Sequence, residues 1–130
     1  MGRFLKKSVL TSAIATGALV ALAAPAAGAS SQAGAKDFAS QCAMCHAHTS
    51  GARSGIGPNL FGVVGRKAGS LAGYSYSPAM KSAGFDWDAQ RLDHYLAKPQ
   101  QVVHGNKMPF AGIGNAAERA EIIAYLSTLK

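Results

Sequence analysis

Four apolar residues near the C-terminus share one helical face, at positions i, i+3, i+4 and i+7: Ile122, Tyr125, Leu126 and Leu129. Asn115, followed three residues later by Glu118, resembles a capping box, the pattern in which two side chains bond backbone N–H groups where a helix begins. The pattern therefore predicts a C-terminal helix that starts just after Asn115 and buries its apolar face.

A second helix is predicted around the cysteine pair. The segment from Lys36 to Cys45 contains neither Gly nor Pro, and it places Phe38 one turn before Cys42. This pattern favours a short amphipathic helix that carries both cysteines.

A capping residue and a stop signal predict a helix in the middle of the chain. Asp86 or Asp88 can cap it, and Pro99 ends it at about Lys98. Its apolar face holds Leu92, Tyr95 and Leu96. No segment alternates with period two over enough residues to predict a strand, so the sequence favours an all-α fold.

Glycine is unusually frequent, with 15 residues in a chain of 130, or about 12% against a usual ~7%. Gly and Pro are so dense between Thr49 and Gly84 that a long regular element is excluded there. We expect this stretch to be loop that wraps around something other than a regular ladder.

The first 29 residues are typical of an export signal. A basic start is followed by an uncharged stretch, Ser8 to Ala24, and by Pro25 just ahead of the small residues 27–29. An uncleaved anchor is the alternative, but the stretch is shorter and richer in alanine than the ~20 strongly apolar residues a membrane span needs. We predict a signal peptide over 1–29, cleavage after Ala29, with 33–35 as a second candidate site, and a periplasmic domain over 30–130.

Composition bounds the remaining domain. Removing residues 1–29 leaves 101 residues with a net charge of +4, against +7 for the whole chain. This modest excess of positive charge contains no run of lysine or arginine, so it does not indicate nucleic-acid binding. Over the whole chain, apolar residues make up 48% and charged residues 15%, which excludes a highly charged disordered tail, and two cysteines exclude a multi-disulfide scaffold. We expect one domain and a monomer.

Chemistry is concentrated in the pentapeptide Cys42-Ala43-Met44-Cys45-His46. Two thiols three residues apart, followed at once by an imidazole, suit thioether attachment of a haem whose iron the histidine binds. A disulfide, a thioredoxin-like pair and half a zinc site are the alternatives. Zinc needs four ligands and the chain has no second cysteine pair, whereas thioredoxin chemistry needs a sheet that the sequence does not predict.

A bound haem also accounts for the glycine-rich middle, because the ring supplies apolar core that so much loop lacks. The candidates for the opposite face of the iron are His48, His94, His104, Lys107, Met80 and Met108. Met108 lies in the irregular segment Asn106 to Phe110, and a loop can hold a thioether rigidly over a ring. A buried Met is otherwise more often packing than a ligand.

With these motifs in register, the chain resembles a class I cytochrome c of the mitochondrial type and its bacterial periplasmic relatives, from about Gly34 to Leu129. The motifs that carry the resemblance are CAMCH, GPNLFGVVGRKAG (57–69), YSYSPAMK (74–81), Trp87, Tyr95-Leu96, Pro99 and KMPFAG (107–112). The resemblance implies the class I fold: N- and C-terminal helices packed across each other, a middle helix, and glycine-rich loops wrapping one covalent haem c. The helix crossing would involve Gly34, Phe38, Ile122 and Tyr125.

The resemblance also implies residue roles. Cys42 and Cys45 would hold the haem, His46 would be the proximal iron ligand and Met108 the distal one. The Pro58 carbonyl would accept the second ring N–H of His46. The remaining haem neighbours would be Tyr95, near the Met108 sulfur, and Tyr76, Trp87 and Arg66, near the propionates.

Several positions depart from the family pattern. Met80 stands where many members have an asparagine in a water-linked network, and Asn106 replaces a common threonine. The ring of lysines that docks many relatives is mostly missing: its positions hold Gln41, Gly55, Gln100, Gly114 and Asn115, with Lys107 retained and Arg53 and Lys98 nearby. We expect an apolar rim around the haem edge, formed by Phe110, Gly112, Ile113 and Gly114.

Iron bound by both His46 and Met108 has no open position, which favours outer-sphere electron transfer over substrate activation. The sequence therefore predicts a one-electron carrier and not an enzyme. The resemblance implies a membrane cytochrome complex or dehydrogenase as donor, and an oxidase, reductase or photosynthetic centre as acceptor. The alternatives are a peroxidase or ligand-binding haem protein in which Met108 dissociates, and a subunit bound permanently to a dehydrogenase.

Overall fold

The computed structural model describes residues 27–130. Its helices are α1 (Ala27–Gln41), α2 (Pro78–Lys81), α3 (Ala89–Ala97), α4 (Pro99–Val102) and α5 (Ala116–Leu126). Between residues 27 and 130 the only β pairing is an isolated antiparallel bridge of Lys67 with Asp86, in agreement with the predicted helical fold. None of the described helices has the length and apolar content to cross a membrane.

The first helix differs from its prediction at both ends. It begins before Lys36 and ends at Gln41, so the cysteine motif lies on the turns that follow the helix and not on the helix itself. The backbone N–H groups of Cys42 and Ala43 both donate to the Phe38 carbonyl, at 2.8 and 3.0 Å. Two donors on one carbonyl tighten the backbone into a turn, which ends the regular ladder.

The predicted signal peptide lies mostly outside the described residues, which exclude 1–26. A cut after Ala29 would fall in the first turn of α1. The division at residue 29 stays a prediction.

Helices α1 and α5 cross with their backbones in contact. A Cβ on Gly34 would lie 1.8 Å from the Glu121 carbonyl oxygen, so no larger residue fits there without moving a helix. Beside this crossing, Phe38 and Ile122 are completely buried. The crossing closes one end of the core.

Helix α5 begins where the capping pattern predicts. The Asn115 side chain accepts from the backbone N–H groups of Ala117 and Glu118, at 2.9 and 3.4 Å. The Glu118 carboxylate accepts a hydrogen bond from the Gln41 amide at the end of α1. This side chain therefore joins the two crossed helices.

The middle of the chain forms three helices where one was predicted. Asp88, and not Asp86, caps α3 by accepting from the Arg91 N–H at 2.6 Å. Helix α3 ends at Ala97 close to the predicted stop, but Pro99 also begins α4, because proline suits the first turn of a helix. The short α2 was not predicted, although Ser77-Pro78 is a cap followed by a first-turn proline.

The glycine-rich loops are held against one another by backbone hydrogen bonds. The Trp87 N–H donates to the Arg66 carbonyl at 2.9 Å, and the Gly65 N–H donates to the Trp87 carbonyl at 2.7 Å. Gly69 adopts a φ of +69°, and a Cβ there would lie 2.7 Å from the Met80 carbonyl oxygen. These loops and the helices leave a cavity in the centre of the core.

Candidate cofactor site

The nine site residues predicted from the sequence all line this one cavity: Cys42, Cys45, His46, Pro58, Arg66, Tyr76, Trp87, Tyr95 and Met108. Apolar side chains from α1, α3 and α5 complete the wall: Phe38, Leu92, Leu96, Ile122 and Leu126. The three other candidate histidines do not line it. His94 and His104 are exposed, and His48 packs edge-on against the Phe38 ring, with 4.9 Å between centroids.

The loop after the cysteine motif fixes the orientation of His46. Its Nδ1 lies 2.8 Å from the Pro58 carbonyl oxygen, which can only accept, so Nδ1 carries the proton and Nε2 is left with its lone pair. Burial lowers the pKa of His46, which favours this neutral form, although the bond to Pro58 opposes the shift. The ring rests against Gly57, where a Cβ would lie 2.3 Å from its Cε1.

Both cysteines are free thiols and half-buried in the cavity wall. Burial, and to a lesser extent the neighbouring Cys45, raises the pKa of Cys42 to about 11. A thioredoxin-like nucleophile has a lowered thiol pKa, which is the opposite shift. Among the described residues, no group of three or more His, Cys, Asp or Glu side chains is placed to hold a metal ion.

Met108 is held in place by Asn106, whose structural role the sequence did not reveal. The buried Asn106 side chain accepts from the Met108 N–H and donates to the Val103 carbonyl, both at 2.9 Å. The Gln100 amide donates to the Asn106 carbonyl at 3.1 Å. These bonds fix an irregular loop at the point where its thioether reaches the cavity.

Arg66 and Tyr76 form a polar corner of the cavity. The Arg66 guanidinium donates to the carbonyls of Phe61 and Asn59, at 3.1 and 2.9 Å. Burial lowers the pKa of Arg66 and raises that of Tyr76, while each group opposes the other's shift. The corner therefore presents a partly desolvated cation and a phenol, which together suit a carboxylate.

Tyr95 and Met80 complete the wall. Burial, with a smaller contribution from Tyr74, raises the pKa of Tyr95 to about 12, so its phenol stays protonated at neutral pH. Its ring packs edge-on against Trp87, with 4.8 Å between centroids. Met80 is 8% exposed and contributes an apolar side chain.

Asn59 is a second residue whose role sequence reasoning missed. Its buried amide donates to the carbonyls of Thr49 and Ala52, at 2.9 and 2.8 Å, and its Oδ1 accepts from the Phe61 N–H at 2.9 Å. These bonds hold the loop that carries Pro58. The only signal in the sequence was an asparagine directly after Gly-Pro in a glycine-rich loop.

A cavity with two free thiols, an oriented imidazole and a loop-borne thioether in its wall defines a protein that carries a covalently attached haem. A family model described as "Cytochrome c" matches residues 31–130, and the chain belongs to the cytochrome c family.

Similar proteins support the assignment. The chain is 49% identical over 88 residues to a cytochrome c2 of Rhodomicrobium vannielii, which covers 68% of this chain and 70% of the relative. It is also 49% identical over 88 residues to cytochrome c2 iso-2 of Magnetospirillum fulvum. This match covers 68% of this chain and 91% of the relative. The structure of cytochrome cH from Methylobacterium extorquens matches with a TM-score of 0.71 and 44% identity, covering 75% of this chain and 97% of that one.

The class I fold and the covalent haem c predicted from the sequence are therefore confirmed. The residues of the cavity fit the group on their own chemistry: the thiols are free, His46 Nε2 has an available lone pair, the wall is largely apolar, and Arg66 lies in its polar corner. Family membership makes the protein an electron carrier.

Proposed function

We propose that this protein is a periplasmic carrier of single electrons whose haem iron is bound by His46 and Met108. The observation that carries the proposal is that these two side chains line one cavity together with both attachment cysteines. The donor would be a membrane cytochrome complex or dehydrogenase, and the acceptor an oxidase, reductase or photosynthetic centre.

The haem supplies the chemistry when bound, because its iron takes up and releases one electron. The chain would hold it: Cys42 and Cys45 would supply the thioether sulfurs, and the Nδ1 bond to Pro58 leaves the His46 Nε2 lone pair available for iron. Asn106 fixes the loop of Met108. Iron ligands that the protein holds rigidly would move little when the iron gains or loses an electron. A small structural change of this kind suits electron transfer.

The cavity wall would limit the access of water to a bound haem. The cavity wall is formed mainly by apolar side chains, and Tyr95 contributes a phenol that stays protonated at neutral pH. Arg66 and Tyr76 would meet the propionates at the polar corner. If His46 and Met108 both bound the iron, small ligands would have no free site on it, which would favour a carrier over a peroxidase.

The surface around the cavity suits a partner with few charges. Met44 is 82% and Ile56 is 72% exposed, and Ile56 also lines the cavity. Phe110 is half-buried, whereas Ile113 is 4% exposed and belongs to the core, so its expected place on the rim was wrong. Of the family's lysine ring, Lys107 is retained, and its ammonium is bound to the Ser75 carbonyl.

Visible spectra of the purified protein, oxidised and reduced, test the ligation. We expect the spectrum of a low-spin haem c with the weak ferric charge-transfer band of a thioether–iron bond. Wild-type protein should not bind carbon monoxide at neutral pH. Ready binding would contradict the closed site and favour the ligand-binding alternative.

The export signal has its own test. We expect the mature protein, recovered from the periplasmic fraction, to begin at residue 30 by mass spectrometry. Retention of residues 1–29 on a membrane-bound product would contradict cleavage. Co-purification with a dehydrogenase through size-exclusion chromatography would favour the permanent-subunit alternative over a monomeric carrier.

A further inference from the structure

Two large apolar side chains lie on the surface of the described part of the chain: Met44 is 82% and Ile56 is 72% exposed. Every other large apolar side chain between residues 27 and 130 is buried or half-buried. Single exposed apolar residues are ordinary on soluble proteins. The position of these two, and the chemistry of the Met44 thioether, therefore decide whether they have a function.

The backbone brings Met44 and Ile56 onto neighbouring segments of the surface. The Gly57 N–H donates to the Cys45 carbonyl at 2.8 Å, and a Cβ on Gly55 would lie 3.5 Å from the same carbonyl oxygen. Residues 55–57 therefore fold against the backbone that directly follows Met44. We call the four exposed residues of these two segments the apolar patch: Ala43, Met44, Gly55 and Ile56.

The apolar patch is continuous with the cofactor cavity. Ile56 belongs to the patch and also lines the cavity, and Cys45, next to Met44, lines it as well. None of the four patch residues is charged. A partner that exchanges an electron with a haem in this cavity would meet the patch, and an uncharged patch fits a partner whose own contact surface is apolar. Methionine suits such a surface, because its flexible side chain adapts to different partners.

The methionines of the described chain differ in how open their sulfurs are to solvent. Met80 is 8% exposed. Met108 is half-buried and packs against the core, and its sulfur is the proposed iron ligand. Met44, at 82% exposure, is the methionine whose thioether an oxidant in solution can reach. Oxidation of methionine follows this access, and it converts an apolar side chain into a polar one.

We propose that Met44 is a modification site: a peroxide oxidises its thioether to the sulfoxide, and this change weakens the contact of the apolar patch with redox partners. With hydrogen peroxide, the O–O bond breaks, one oxygen atom forms the S–O bond, and the other leaves as water. The sulfur loses two electrons and the peroxide gains two. The inference rests on the electron carrier proposed above, and it adds that a peroxide slows this carrier without touching its iron ligands.

Mass spectrometry of the ferric holoprotein, after limited treatment with hydrogen peroxide, locates the modified sulfur. We expect one added oxygen atom, on the peptide that carries the haem. Met44→Leu keeps an apolar side chain of similar size and should leave this peptide unchanged, which separates Met44 from the sulfurs of Cys42 and Cys45 in the same peptide. The peptides that contain Met80 and Met108 should gain oxygen at least about ten-fold more slowly.

Electron self-exchange between ferric and ferrous protein tests the contact, with a second copy of this chain as the partner. It is followed by NMR line broadening in mixtures of the two oxidation states, at high salt so that the net charges of the copies are screened. We expect exchange about ten-fold slower after peroxide treatment, because both copies lose part of their apolar contact.

Three variants separate the sulfoxide from other effects of the treatment. Met44→Gln places a neutral polar group in the patch and should slow self-exchange as the sulfoxide does. Met44→Leu should exchange at the wild-type rate and should not respond to peroxide. Ala120→Gln is the matched control, since it adds the same amide to an exposed position of α5 that does not line the cavity, and it should exchange at the wild-type rate.

Several results would overturn this role of Met44. Oxidation of the Met80 or Met108 peptide at the same rate as the haem peptide would show that the site is not selective, and oxygen uptake by the haem peptide of Met44→Leu would place the modification elsewhere. Wild-type self-exchange in the oxidised protein or in Met44→Gln would remove the effect on contact.

The thioether charge-transfer band distinguishes failure of this inference from failure of the ligation. A band that is absent before treatment contradicts Met108 as an iron ligand, while the mass and self-exchange results still decide the role of Met44. A band that is present at first and lost on treatment shows that peroxide attacks the iron ligand, which overturns Met44 as the selective site.

Discussion

Replacing Gly57 by alanine should displace the proximal histidine. A Cβ at this position would lie 2.3 Å from Cε1, 2.6 Å from Nδ1 and 2.8 Å from Nε2 of His46. Ordinary carbon contacts are about 3.5–4.0 Å, so the ring must retreat by roughly 1 Å or the loop must move by as much. A shift of this size breaks the 2.8 Å bond from Nδ1 to Pro58, which orients the ring.

The expected cost has two parts. Overpacking a tight site costs about 1–3 kcal/mol. The lost hydrogen bond adds about 1 kcal/mol. For a domain of this size each kcal/mol lowers the melting temperature by about 4–8 °C, so a fall of roughly 10–30 °C is expected in the holoprotein.

Gly55→Ala is the matched control, in the same loop and two residues away. A Cβ on Gly55 would meet the Cys45 carbonyl oxygen at 3.5 Å, an ordinary contact, and neither glycine has a positive φ. Thermal unfolding can be followed by circular dichroism. In this control the free energy of unfolding should therefore change by less than about 1 kcal/mol. Visible spectra should show weakened low-spin ligation in Gly57→Ala only. Equal melting temperatures for the two variants would refute the proposed contact of Gly57 with His46.

Three further predictions concern the haem and its docking surface. Replacing both Cys42 and Cys45 by alanine should remove the covalent haem and much of the fold, and a haem-stained band on a denaturing gel would contradict this. Met108→Ala should open the sixth position, lower the reduction potential and allow carbon monoxide to bind, because a thioether ligand favours ferrous iron; an unchanged potential in voltammetry would argue against Met108 as a ligand. Electron transfer to the natural partner should depend weakly on salt, since few charges surround the cavity and the Debye length is ~8 Å at physiological ionic strength. Lys107→Glu should slow it more than Lys36→Glu in stopped-flow measurements, and a steep salt dependence or equal effects would show that docking occurs elsewhere.

Local signals in the sequence were enough to predict several helix boundaries. Asn115 and Asp88 cap α5 and α3 because a side-chain oxygen satisfies N–H groups only two or three residues away. The stop at Lys98 is equally local, since proline restricts the residue before it. The pentapeptide from Cys42 to His46 likewise indicated the haem, because covalent attachment depends on spacing along the chain.

The end of α1 was not predictable from such signals. The segment from Lys36 to Cys45 has no helix breaker, yet the regular helix ends at Gln41. Beyond this turn, His46 Nδ1 lies 2.8 Å from the Pro58 carbonyl oxygen. Pro58 is twelve residues further along the chain, so helix propensity carries no information about this contact.

The sequence by itself determined which residues could bind a haem, since that choice depends on the chemistry of side chains and on short spacings. Only the tertiary structure decided how those residues are held. Asn59 and Asn106 stabilise the two ligand loops through hydrogen bonds to backbone carbonyls that no pattern of residue types identifies. Tyr74 and Lys107 contact each other across the cavity mouth, 33 positions apart in the chain. Glycine-rich loops have little intrinsic preference for one conformation, so their path is set by these long-range contacts and by the packing of the helices around the cavity.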